Sequence, residues 1–65
     1  MTTYLITAKW GPMMLSEEMD ITSDFNTDAE SEYCKNHILT KWTRIFGSAF
    51  IADADEISAQ EVSRG

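Results

Sequence analysis

The stretch TDAESEYCKNHILTKWTRIFG, residues 27–47, decides the architecture, because it reads as one long amphipathic helix. Thr27-Asp28-Ala29-Glu30 fits a capping box. In that motif the Thr27 hydroxyl accepts from the Glu30 amide, and the Glu30 carboxylate reaches back to the Thr27 amide. Ala29, Tyr33, His37, Ile38, Trp42, Ile45 and Phe46 recur at helical spacing and form the expected apolar stripe. Gly47 supplies a left-handed stop. Asp28, Glu30 and Glu32 crowd the first turns, while Lys35, Lys41 and Arg44 lie further on. This gradient complements the helix dipole, each exposed charge contributing about 0.3–1 kcal/mol. A helix of about 19 residues spans about 28 Å, the width of a small domain.

Towards the N-terminus, Tyr4, Ile6, Ala8 and Trp10 alternate with Leu5, Thr7 and Lys9 over residues 3–10. Period two with β-branched and aromatic residues predicts a strand, and Leu5 on its second face implies a well-covered one. Gly11-Pro12 ends it, since proline offers no donor to the ladder. A second alternation follows. Met13, Leu15, Met19 and Ile21 share one face, interrupted by Glu17, with Met14, Ser16, Glu18, Asp20 and Thr22 on the other. It predicts a strand paired antiparallel to the first.

Beyond Gly47, Ala49 to Ala54 reads as a third strand with Phe50, Ala52 and Ala54 on one face. Asp53, Asp55 and Glu56 break the alternation, and Ile57, Ala59 and Val62 resume it out of phase, as a bulge or a short fourth strand. Ser63-Arg64-Gly65 is expected to fray. The fold class is therefore α+β: two layers, a three-stranded (or four-stranded) antiparallel sheet and one helix, in β-β-α-β order. Such a helix covers one face of the sheet and leaves the other open.

Bulk properties narrow the function. The 65 residues make a single domain, and a chain this short buries only about 60% of its unfolded surface. The lone Cys34 excludes an internal disulfide and suits a reducing compartment. The net charge of −6, from 11 acids against 5 bases, disfavours direct contact with nucleic acid or an anionic membrane. No apolar run is long enough for a membrane span, and no leader pattern opens the chain, so a cytoplasmic location is expected.

No catalytic signature stands out, and no cofactor is expected. Cys34 and His37 are neighbours on the helix, but two ligands make only half a zinc site and no orienting third group accompanies them. Asp53-Ala54-Asp55-Glu56 lacks the glycine and the terminal glutamate spacing of a calcium loop. The unusual segment is WGPMML, residues 10–15, a turn with apolar flanks. Trp10 is expected to cover the edge of the core, and Met13 and Met14 to meet a partner. Glu17, Glu18 and Asp20 on the solvent face of the second strand, with Asp53, Asp55 and Glu56 at the bend, are the acidic candidates.

A short, acidic, cysteine-poor chain with β-β-α-β order resembles the small accessory proteins of bacteriophages. In element order and acidity it is similar to the T7-type inhibitors of host RNA polymerase, and more loosely to anti-restriction and anti-CRISPR proteins; no site residue is carried over. The resemblance implies a non-catalytic module that inhibits or redirects a host protein in the host cytoplasm. The partner expected is a host protein with a basic surface, which acids spaced like phosphates would occupy as a DNA mimic. The alternative is a structural protein that self-associates into a homodimer through the uncovered face bearing Leu5, Lys9 and Met14.

Overall fold

The computed structural model describes residues 1–22 and 27–64. Two strands, β1 (Thr2–Trp10) and β2 (Met13–Ile21), precede the helix α1 (Thr27–Phe46). A five-residue helix α2 (Ser48–Ala52) and the strand β3 (Glu56–Arg64) complete the chain. The sheet is antiparallel with strand order β2-β1-β3, so β1 is central and β2 and β3 are its edges. The order β-β-α-β and the α+β class are those expected.

The hairpin follows directly from its turn. Trp10 pairs with Met13, leaving Gly11-Pro12 as a two-residue loop. Gly11 has φ 56°, and proline holds its own φ negative, the sign pattern of a type II′ turn. That turn matches the twist of the strands, so nine residues of each pair without a break. Rows of side chains then run across the sheet: Leu15–Ala8–Ile57, Glu17–Ile6–Ala59 and Met19–Tyr4–Glu61 on one face. The opposite face carries Met14–Lys9–Glu56, Ser16–Thr7–Ser58 and Glu18–Leu5–Gln60.

The core lies between the first of these faces and α1. Tyr4, Ile6, Ala8 and Ile21 meet Cys34, Ile38 and Trp42, and Ile51 of α2 closes the cluster. The buried stripe of α1 is thus Glu30, Cys34, Ile38 and Trp42, an unbroken i, i+4 series. It differs from the expected stripe: Ala29, Tyr33, His37, Ile45 and Phe46 are all exposed. Glu30 is sealed in, with the Tyr4 hydroxyl donating to its Oε1 at 3.1 Å. The Thr27 half of the capping box lies outside the described side chains.

The third strand is also not where the sequence reading puts it. Residues 49–54 form most of α2 and the turn after it, not a strand. The run SAFIA is alanine-rich and short, and it caps the core by burying Ile51, which a helical turn achieves. The strand is the later alternation, Glu56–Arg64, with a register shift opposite Thr3/Tyr4 where Val62 is the extra residue. Ser63 and Arg64 are paired with Thr3 and Thr2, not frayed; Gly65 lies outside the described residues. Gly47, between the helices, has φ 97° and ψ 149°, positive φ but extended rather than left-handed helical.

Candidate docking surface

Topology gathers one end of the molecule. The close of β1, the start of β2, the end of α1, all of α2 and the start of β3 meet at the hairpin end. Met13 and Met14 are 59% and 64% exposed there, joined by Phe46 at 46% and Phe50 at 37%. With Trp10 and Leu15 they line a cavity of about 140 Å³. Its walls are fixed by aromatic contacts. Trp10 stacks on Phe50 with centroids 4.6 Å apart, and Phe46 packs on Phe50 at 5.7 Å. The indole N–H of Trp10 donates to the Phe50 carbonyl at 2.8 Å, tying α2 to the sheet. Trp10 is half-buried and covers the edge of the core, whereas the two methionines face outward.

The acids separate into different roles. Asp55 is a latch: its carboxylate accepts from the Gly11 amide at 2.6 Å, and its own amide donates to the Lys9 carbonyl at 2.7 Å. Two loops distant in sequence are held together by that one residue. Asp53 caps α2 through its backbone amide, which donates to Ala49, and its side chain is exposed. Glu56 faces Lys9 across the strands with a 3.9 Å ion pair, both groups half or more in solvent. Exposed pairs of this kind contribute roughly 0–1 kcal/mol, so Glu56 is held only loosely.

On β2 the sequence reading needs a correction. Glu17 is not on the solvent face; it pairs with Ile6 on the face covered by α1. There Lys41 Nζ donates to its Oε2 at 2.6 Å and Trp42 Nε1 to its Oε1 at 3.4 Å. The Lys41 hydrogen bond is the main reason the Glu17 carboxyl is held below its ordinary value. Glu18 and Asp20 do lie on the open face, and Asp20 accepts from the Thr3 hydroxyl at 2.6 Å.

Phe46 and Phe50 were missed as surface residues. Phe46 continues the i, i+4 series of α1 and Phe50 fits a strand alternation, so spacing alone places both in the core; the fold leaves them outside it because α1 ends at Phe46 and Ile51, not Phe50, is the buried residue of α2. Cys34 and His37 are separated by the same geometry. Cys34 is fully buried, where desolvation first and the Glu30 charge second push its thiol up. A thiol so placed stays protonated and inert. His37 is exposed and stacks on Tyr33 at 6.2 Å. Among the described residues, no group of three or more His, Cys, Asp or Glu is arranged to hold a metal ion. Nor is any helix there long and apolar enough to cross a membrane.

No family model, curated protein or solved structure matches this chain.

Proposed function

We propose that the chain is a non-catalytic docking module that binds, and thereby inhibits or redirects, a protein with a basic surface. The observation that carries this reading is the cluster of Met13, Met14, Phe46 and Phe50, exposed around one cavity, with the exposed acids Asp53 and Glu56 at the same end of the fold. An apolar centre with a charged rim is the anatomy of a protein interface. Methionines adapt to irregular partner surfaces, and the stacked aromatics beneath them give a rigid floor. The net charge of −6 steers a basic partner toward the molecule and raises the association rate. The resemblance to bacteriophage accessory proteins supplies the setting: a stoichiometric inhibitor acting in the host cytoplasm. Where the host surface ordinarily holds nucleic acid, carboxylates stand in for phosphates.

The test is capture of a basic protein by the immobilised chain, compared across salt concentrations and variants. Met13→Asp with Met14→Asp is expected to abolish capture, and Asp53→Lys with Glu56→Lys to weaken it and flatten its salt dependence. Asp55 is left intact because it latches the hairpin. Capture indifferent to all four substitutions removes this surface from the reading. The homodimer reading draws on Leu5 and Met14 sharing the uncovered sheet face. Sedimentation across a dilution series separates the two, since a monomer throughout excludes self-association.

A further inference from the structure

The sheet is one strand short on its β2 side. Strand β2 pairs only with β1, so the outer edge of all nine of its residues is unpaired within the described sheet. A long free edge exposes a row of backbone donors and acceptors, the template for strand addition. A cavity lies beside this edge. At its start is the 140 Å³ cavity of Met13, Leu15, Phe46 and Phe50.

Charge selects the occupant. Along the open face of β2 the exposed side chains run Met14, Ser16, Glu18, Asp20: apolar and neutral first, acidic after. A second copy of β2 brings Glu18 and Asp20, neither of them ion-paired among the described residues, to an edge that already carries the same two acids, and the added like charge opposes pairing. A second copy of β3 brings Glu56 and Glu61 against the one base Arg64, still net acidic. We infer that the occupant is an extended basic segment of the partner, added to β2 as a fourth strand, with one large apolar side chain seated in the Met13–Phe46–Phe50 cavity. This rests on the docking reading above and specifies its mode.

The strand period then fixes a spacing. An anchor beside Leu15 must point to the α1 face to reach the cavity. Basic side chains beside Glu18 and Asp20 must point to the open face, three and five residues away. Odd separations place them on opposite faces, as alternation requires. The motif is therefore an apolar anchor with Lys or Arg at the third and fifth positions from it, and the chain direction sets which side they fall on. A cavity of 140 Å³ suits one leucine- or methionine-sized group.

The probes are synthetic peptides with a leucine anchor and two lysines at this spacing, made in both directions, titrated into the isotope-labelled full chain. The expected result is saturable binding, with slowed hydrogen exchange at alternate amides of Met13–Ile21. Leucine-to-alanine at the anchor weakens it by at least about tenfold, as for a buried interface anchor. Backbone N-methylation on alternate peptide residues abolishes binding, because it removes the ladder bonds. Met13→Asp and Phe46→Asp in the protein act at exposed side chains, so the fold remains and the peptide affinity falls.

Three results overturn the strand-addition mode while the docking reading stands. One is an N-methylated peptide that binds equally well. Another is amide perturbation centred on Thr7 and Ser58 of the open face. A third is no peptide binding although a basic protein is still captured through Met13 and Met14. Loss of both peptide binding and capture sinks the two together.

Discussion

Glu17 illustrates how a single polar residue can belong to a core without being sealed in it. It interrupts an otherwise apolar strand face, and both its oxygens are used, by Lys41 and by the indole of Trp42. Because the folded state holds this carboxyl below its ordinary value of 4.5, the unfolded chain takes up a proton that the folded chain refuses. The stability it contributes is therefore complete above that value and drains away as pH falls beneath it. The side chains are 33% and 52% exposed, so solvent screens the pair and the contribution stays within about 1 kcal/mol. Glu17→Gln keeps an acceptor for Trp42 and removes the charge. The urea-denaturation gap between the two proteins is expected to be constant at neutral pH and to shrink as pH falls below 4.5. A gap of equal size at acid pH sinks the electrostatic account and leaves shape as the cause.

The connection between α1 and α2 puts a backbone constraint at the scale of elements. Gly47 joins them at φ 97° and ψ 149°, while its amide still donates to the Thr43 carbonyl at 2.9 Å. A Cβ added there meets nothing within 4 Å, so Gly47→Ala isolates backbone strain from crowding. Its expected cost is about 1–3 kcal/mol, read as a lower urea midpoint at unchanged slope. A shallower slope instead reports that α2 has come away from the sheet. The hairpin and α1 were legible because each rests on local physics: period two around a two-residue turn, and a long helical spacing ending in glycine. The phase of α1 was not, because its buried stripe passes through Glu30 and Cys34, an acid and a small thiol that an apolar count passes over. The Tyr4 hydroxyl, 26 residues away, is part of what makes Glu30 acceptable there. Residues 49–54 misled for a different reason. A short apolar run has no intrinsic preference between strand and helix, and docking of Ile51 decides it. Ile57 and Ala59, by contrast, did carry the alternation of β3. Of the candidate site, Met13, Met14, Glu18, Asp20 and Asp53 are exposed, while Asp55 and Glu17 are tied into the fold by partners distant in sequence.

The whole molecule exposes 4332 Å², close to the roughly 4200 Å² typical of a folded monomer of its size. Its open sheet face has not left it expanded, so the apolar side chains at the hairpin end are not a sign of incomplete collapse. Met13 and Met14 among them stand outside the core. The core is carried instead by Tyr4, Ile6, Ile38 and Trp42, each at most 3% exposed. A direct contrast follows. Trp42→Ala opens a cavity under α1 and is expected to cost about 3–5 kcal/mol, a large part of the stability available to a domain this small. Met13→Ser with Met14→Ser shortens two exposed side chains and is expected to change stability by no more than about 0.5 kcal/mol per site. Chemical denaturation of the three proteins measures both. If the methionine pair costs as much as the tryptophan, the hairpin end is structural cladding, and the surface offered to a partner shrinks to the acids alone. If the pair is neutral, then two methionines are held in water by a fold that does not need them, which is the condition a docking end has to meet.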